Sequence, residues 1–366
     1  MTSGRLAGLR VVEFASIGPG PHCAMLLADL GADVLRIDRP NGNDQPNPVA
    51  DRGRAILTLD IRSEAGRVKS LELIAQADVS IEGSRPGVME RLGLGPNDAC
   101  SLNKRLIYAR MTGWGQDGPL ARMAGHDINY LALTSALAAV GKPGEPATVP
   151  LNLIGDFGGG SVFLAFGIMA ALWERERSGL GQVVDAAIVD GVASIMSMFA
   201  GLVPSGRISL DREANMLGGA APFYRCYLCK DGKEIAVGAI EPQFYSHLLA
   251  AVGAPAEWVK DQHDTTNWPD RCAWFAAKFL TKSRDEWANQ IEGIDACFAP
   301  VLDFREAGQH PHMKSRGTYV DRDGFAHPAP APRFSRTRAT IPEDRAAEAM
   351  IADWASDKQA AAPRAL

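Results

Sequence analysis

Two short polar clusters carry the residue types that can move a proton. The first is Gly125-His126-Asp127-Ile128-Asn129-Tyr130, and the second is Gly155-Asp156-Phe157-Gly158-Gly159-Gly160. Each precedes an apolar run, residues 131–140 and 162–173, that reads as helix. A polar residue ahead of an apolar run is a helix-start signal. Helix starts expose free backbone N–H groups, and the dipole there favours negative charge. The pattern therefore places an imidazole and a carboxylate at two helix N-termini, the second beside glycines that let a ligand approach the backbone. Such a pair suits proton transfer next to a carbonyl whose oxygen becomes anionic. Taken alone, the clusters also describe two ordinary capped helices.

Composition narrows the setting. The chain has 366 residues, 46% hydrophobic and 22% charged, as in an ordinary globular protein. That length exceeds what one core usually organises. A net charge of −5 offers no basic field for nucleic acid. Six scattered cysteines and no opening secretory signal lead to the expectation of a reducing, cytoplasmic setting. No apolar run approaches the ~20 residues needed to span a bilayer, so no membrane insertion is expected.

The elements that must position the two clusters read as α/β. Residues 9–15 form a buried strand, 22–30 a helix and 34–37 a second strand. This β-α-β unit predicts a parallel sheet. Gly18-Pro19-Gly20-Pro21, with Asp38 about 20 residues on, resembles half of a dinucleotide fingerprint. Cys23 stands where the third glycine belongs, which disfavours a nicotinamide cofactor. Further strands are expected at 56–59, 79–81 and 106–110, with a helix at 63–76. Arginines recur at strand ends: Arg39, Arg62, Arg85 and Arg91, with Arg52 and Arg54 nearby. Ligands of open α/β sheets bind beyond the carboxyl ends of the strands. Arginine there suits phosphate through bidentate hydrogen bonds. Any one of these arginines is also compatible with a solvated surface; the set points to a phosphorylated ligand.

The second half changes character. Residues 192–217 are apolar, methionine-bearing and poorly periodic. Residues 223–229 and 233–239 form a hairpin through Lys230-Asp231-Gly232. Cys226 and Cys229 lack the second pair a zinc site needs and read as packing residues. Glu241 precedes a helix at 242–252, a common place for a carboxylate. Residues 296–301 read as a strand. His310 and His312 lie in a polar connector at 309–318 and lack companion ligands, so no metal is expected. An extended proline-rich stretch at 326–334 and a short helix at 346–354 precede a tail expected to be disordered. The division expected is a large domain over 1–191, a linker at 192–222, a small α+β domain over 223–308, and a linker at 309–327.

These residues together resemble the family III CoA-transferase superfamily, from residue 6 to about 336. The likeness is carried by Gly31-Ala32-Asp33-Val34 leading to Arg39-Pro40, and by Glu82-Gly83-Ser84-Arg85-Pro86-Gly87 leading to Arg91-Leu92-Gly93-Leu94-Gly95. Gly113-Trp114-Gly115-Gln116, the 125–130 cluster, Gly155-Asp156 and Gly181-Gln182-Val183-Val184-Asp185 complete it. Transferases of this type use an aspartate matching Asp156 to form an acyl anhydride, and normally lack a histidine at 126. The racemases carry both residues and a glutamate matching Glu241 that supports the histidine. All three are present, so the resemblance implies the racemase branch. The implied reaction interconverts (2R)- and (2S)-2-methylacyl-CoA thioesters by 1,1-proton transfer through an enolate. His126 and Asp156 would work on opposite faces, with the Asp156 N–H holding the enolate oxygen. The alternative is a CoA transferase with Asp156 as nucleophile.

The resemblance further implies a Rossmann-like large domain completed by the C-terminal segment 328–366. It implies an interlocked homodimer in which the small domain packs the active site of the other protomer. CoA would contact Arg39, Leu59, Asp60, Ile61, Arg62, Gly83, Ser84, Arg85 and Arg91, and the run Gly125, His126, Asp127, Ile128, Asn129 and Tyr130. Met216, Leu217 and Tyr224 would frame the acyl chain. No cofactor is expected, because CoA is part of the substrate. Phosphate contacts remote from the reacting carbon mostly give uniform binding, so Arg85→Ala and Arg91→Ala should raise KM for an acyl-CoA more than they lower kcat. Unchanged KM in both variants would remove these arginines from the site.

Overall fold

The computed structural model describes residues 4–42 and 46–360. Six strands form one parallel sheet: β1 (Arg10–Phe14), β2 (Asp33–Asp38), β3 (Arg54–Thr58), β4 (Val79–Glu82), β5 (Ile107–Thr112) and β6 (Val183–Ala187). Their spatial order is β3-β2-β1-β4-β5-β6, the doubly wound order expected of a Rossmann-like sheet. Val11, Val12, Val34, Leu35, Val79 and Ile81 are fully buried, as in a sheet covered on both faces. The strand order reverses between β1 and β4. There the loops after the two strands meet so closely that a Cβ on Gly83 would lie 2.9 Å from the Ser16 Cβ.

The core on one face joins Phe14, Leu35, Ile37, Leu73 and Tyr108 to Ala347, Met350 and Trp354 of the C-terminal helix Ala347–Ala360. That helix is longer than the 346–354 expected: residues 355–360, expected to begin a disordered tail, are helical, and 361–366 lie outside the described residues. Buried ion pairs brace the first strands. Arg54 meets Glu13 at 2.7 Å, Arg52 meets Asp29 at 2.5 Å, and Arg36 meets Asp51 at 2.9 Å. Breaking one such pair leaves a buried charge without its partner, which costs about 3–5 kcal/mol.

Two helices differ from expectation. The helix expected to start at 162 starts nine residues earlier, at Leu153. Leu153–Val162 is a π-helical run that continues into the α-helix Phe163–Ser178, which Gly179 ends in the left-handed conformation. The glycines expected to admit a ligand are filled by neighbouring helices instead. A Cβ on Gly191 would lie 1.9 Å from the Gly159 carbonyl oxygen, and one on Gly159 would lie 2.6 Å from a Val192 methyl. A Cβ on Gly160 would meet Pro19 at 3.0 Å and Ile188 at 3.1 Å. The π-helical run therefore packs backbone to backbone against Ile188–Ile195 and on Pro19–Asp29. Because the helix runs on through the glycines, residues Leu153–Ser178 are long and apolar enough to cross a membrane by length and composition. The expected absence of such a run is corrected accordingly. The other helix spans Asp127–Leu133 rather than 131–140, and only a 3-10 turn follows, at Leu137–Ala139. Ser135, with φ of 65°, breaks the helical path between them.

The chain divides into two compact units. The first runs from the start of the described chain to Ala136, takes in Pro150–Ser197, and closes with the residues from Gly317 onward. The second comprises Leu137–Val149 and Met198–Arg316. The excursion at Leu137–Val149 was expected in the large domain. Arg212 holds it in the second unit by donating to the Ala138 carbonyl at 3.1 Å and to that of Glu145. The second unit carries the hairpin β7 (Tyr224–Leu228) and β8 (Glu234–Gly238), extended by β9 (Phe298–Pro300). Phe223, Tyr245, Trp268, Phe275, Phe279 and Trp287 form its aromatic core. Cys226 is exposed and Cys229 buried, as opposite faces of the hairpin require. Residues 192–222, expected as linker, include the helices Ser197–Leu202 and Met216–Gly218. The connector with His310 and His312 carries the helix Pro311–Arg316.

A Cβ at Gly191 would strike backbone, which cannot rotate away. Gly191→Ala should cost about 1–3 kcal/mol through overpacking and lower the melting temperature. Gly201, in the helix Ser197–Leu202, has open space around it. Gly201→Ala should leave the melting temperature unchanged or raise it slightly. Equal melting temperatures for Gly191→Ala and wild type would refute the close packing.

Candidate active site

His126 and Asp156 are brought to one place by a single side chain. His126 is the N-cap of the helix Asp127–Leu133, and its own N–H is accepted by Asn129 Oδ1 at 3.0 Å. The next residue, Asp127, turns its carboxylate toward the start of the π-helical run. Asp127 Oδ1 accepts the Asp156 N–H at 2.7 Å, and the Gly155 N–H also donates to this carboxylate. Gly155 must be glycine for this approach, because a Cβ there would lie 2.2 Å from Asp127 Oδ1. The expected use of the Asp156 N–H as donor to an enolate oxygen is thereby corrected: Asp127 already occupies it.

The Asp156 side chain points over the turn after β1. A Cβ on Gly18 would lie 3.0 Å from Asp156 Oδ2, and Gly18 has φ of 72°. Room and backbone conformation both call for glycine here. Of the half-fingerprint glycines, Gly18 thus makes space for a carboxylate of the chain itself, while Gly20 lies against the Ser16 hydroxyl. Asn152, one helical turn back, donates to Asp156 Oδ2 at 3.3 Å. The sequence reading did not include Asn152. Its signal was the i, i+4 spacing to Asp156, which is meaningful only once the helix extends back to Leu153.

Burial raises the proton affinity of the Asp156 carboxyl above the usual carboxylate range. The Asn152 hydrogen bond pulls it down, the Asp127 charge pushes it up, and the His126 charge pulls it down. The net shift is upward, so the neutral acid is more accessible than for an exposed aspartate. His126 is exposed at the helix start and near enough for its charge to act on Asp156.

Tyr130 closes the other side of the cluster. Its hydroxyl donates to the Gly125 carbonyl, and its ring meets Trp114 edge-on at 4.7 Å. Gly113 leaves space for the Tyr130 ring, so the loop after β5 and the 125–130 segment are packed together. The charge of Arg85 acts on Tyr130, so that arginine lies near the cluster. Ile128 and Asn129 are exposed beside it.

The arginines divide into two sets. Arg36, Arg52, Arg54 and Arg110 are buried in ion pairs. Arg39, Arg62, Arg85 and Arg91 are exposed. Arg39 directly follows β2, and its N–H donates to Asp38. Leu59, Asp60, Ile61 and Arg62 follow β3, where Arg62 pairs with Asp60 at 3.1 Å. Gly83, Ser84 and Arg85 follow β4, and Arg91 ends the short helix Val88–Arg91. Arg110 braces these last segments by bridging Glu82 at 2.9 Å and Glu90 at 2.8 Å, while Glu82 accepts the Ser84 N–H at 2.6 Å. The exposed arginines thus lie beyond the carboxyl ends of β2, β3 and β4, beside the point where strand order reverses.

The remaining expected residues belong to the second unit. Glu241 is exposed at the N-cap of the helix Pro242–Val252, and its charge raises the proton affinity of the Cys297 thiol after burial has done so. Met216 and Leu217 form the 3-10 turn capped by Asn215, and Met216 and Tyr224 pack at the edge of the aromatic core.

The Asn152 hydrogen bond stabilises the ionised form of Asp156, so Asn152→Ala should raise the titration midpoint of that carboxyl. Carbon-13 NMR of labelled aspartate carboxyls, assigned with Asp156→Asn, measures it. An unchanged or lower midpoint would contradict the contact.

Comparison with known proteins gives the family. The chain is 45% identical over 335 residues to "Alpha-methylacyl-CoA racemase" of Mus musculus, covering 91% of this chain and 87% of the mouse protein. It is 44% identical over 338 residues to the Homo sapiens protein of the same name, with the same coverage. The crystal structure of a CAIB/BAIF family protein from Brucella suis superposes with a TM-score of 0.80 at 26% identity, covering 97% of this chain and 99% of that one. Residues 6–348 match the CoA-transferase family III domain, and the chain belongs to that family.

Proposed function

We propose that this protein is a racemase of 2-methylacyl-CoA thioesters. The observation that carries the reading is the pairing of His126 with an Asp156 carboxyl of raised proton affinity on two helix starts held together. The names of the mouse and human relatives point the same way. A 2-methylacyl-CoA has one weakly acidic hydrogen beside its thioester carbonyl. From one enantiomer, neutral His126 takes the C2 proton, the electron pair moves onto the thioester oxygen, and protonated Asp156 delivers its proton to the opposite face. From the other enantiomer, ionised Asp156 takes the proton and the imidazolium delivers one. N–H donors for the enolate oxygen would come from the first two residues of the helix Asp127–Leu133, since the Asn129 N–H is already taken by the His126 carbonyl at 2.8 Å. The reaction consumes no cofactor. Arg39, Arg62, Arg85 and Arg91 hold the CoA phosphates, and Met216, Leu217 and Tyr224 frame the acyl chain.

The assembly is a homodimer in which the second unit of the partner caps this site. Support comes from the uncovered apolar side chains of the long helix: Leu153, Val162, Phe166, Met169 and Trp173, with Phe166 71% and Trp173 70% exposed. We read this helix as a protein interface; Asp156 lies in its first turn, beside the reacting groups. All six cysteines are free, which suits a reducing, cytoplasmic location.

The second reading is a CoA transferase with Asp156 as nucleophile, which family membership alone also accommodates. Proton NMR of an enantiopure 2-methylacyl-CoA in D2O separates the two. Wild-type protein should exchange the C2 hydrogen of either enantiomer while racemising it. His126→Ala should lose ~10²–10⁴-fold in racemisation, and its residual exchange should favour one enantiomer and retain configuration. Asp156→Ala should favour the other. A transferase instead moves CoA to a free carboxylic acid and leaves the C2 hydrogen in place. Glu241→Gln should fold normally, lose activity and shift the pH–rate profile if Glu241 orients His126. Wild-type kinetics at every pH would remove Glu241 from that role.

A further inference from the structure

The Asp127 carboxylate has a role that neither proton transfer nor CoA binding assigns to it. It projects from the residue next to His126 and accepts the Asp156 N–H at 2.7 Å, across 29 positions of sequence. The Gly155 N–H donates to it as well. The chain makes room for this carboxylate at Gly155, where a Cβ would lie 2.2 Å from Oδ1. The Asp127 Oδ2 is buried and has no hydrogen-bond partner. The hydrogen bonds it accepts offset the cost of its partial burial, and they join two segments distant in sequence.

We propose that Asp127 is a positioning residue whose carboxylate joins the His126 helix start to the Asp156 segment and sets the separation of the two proton-transfer groups across the substrate carbon. The proposal rests on the racemase reading. Racemisation needs both groups at their stations, whereas exchange with retention needs only one. Loosening the tie must therefore harm racemisation more than exchange. The carboxylate also acts electrostatically, since its charge raises the proton affinity of Asp156.

The test compares wild type, Asp127→Ala, Asp127→Asn and Gly155→Ala with an enantiopure 2-methylacyl-CoA in D2O, measuring exchange and racemisation separately. Asp127→Ala should lose racemisation by roughly 10²-fold, as a displacement of about 1 Å can cause, while exchange falls less. Gly155→Ala pushes the carboxylate away by another route and should show the same imbalance, which keeps the test decisive if Asp127→Ala does not fold. Asp127→Asn keeps an oxygen acceptor and loses the charge. It should restore the balance, and the acid limb of its pH–rate profile should move to lower pH in the direction where Asp156 is the base. Proportional loss of exchange and racemisation in both Asp127→Ala and Gly155→Ala would overturn the positioning role. Wild-type protein that neither exchanges nor racemises would overturn the racemase reading and this inference with it.

Discussion

The hydrogen bond from the Asp156 N–H to Asp127 is the contact on which the site depends. His126 and Asp156 sit on separate helix starts, each held locally: His126 by Asn129, Asp156 by Asn152. Neither local contact fixes one group relative to the other. The Asp127 carboxylate does, and the same charge, close to a half-buried carboxyl, raises that carboxyl's proton affinity. Burial is the main cause of the raised proton affinity, and the interaction that ties the two segments adds to it. That interaction requires Gly155 beneath it and the crossing at Gly159 and Gly191 behind it, where no side chain intervenes between backbones.

The sheet supplies the platform. Parallel strands in the order β3-β2-β1-β4-β5-β6 leave a crevice where the order reverses, and loops after β1, β4 and β5 meet there. Charge is sorted around it by depth. Arg52, Arg54 and Arg110 are spent on buried carboxylates that hold strands and loops in place. Arg39, Arg85 and Arg91 remain exposed. If they hold the CoA phosphates, as proposed, binding energy from that remote contact is available to position the acyl carbon.

Much of this was legible in the residues, for identifiable reasons. Valine-rich runs such as Val11-Val12 and Val34-Leu35 alternate with helical stretches, which is sufficient for a parallel sheet. The 223–239 hairpin was legible from Lys230-Asp231-Gly232. The helix at Leu153 was not, because Gly155 and Gly158–Gly160 read as a loop when their packing partners Ile188, Gly191 and Val192 are distant in sequence. With that helix hidden, Asn152 had no visible relation to Asp156, and the Asp156 N–H looked free. The sorting of arginines was also invisible, since Arg39 follows β2 and Arg54 opens β3, both at strand ends, and what separates them is that a buried carboxylate, Glu13, faces Arg54.

On the racemase reading Asp156 carries a proton and does not attack the substrate. Burial raises the proton affinity of its carboxyl and the Asp127 charge adds to this, which suits a group that takes up and delivers a proton in turn. The direct measurement is peptide mapping by mass spectrometry after incubating the protein with 2-methylacyl-CoA and hydroxylamine. The account predicts an unmodified Asp156 while the thioester racemises. A hydroxamate on Asp156, formed by trapping an acyl anhydride, would contradict it.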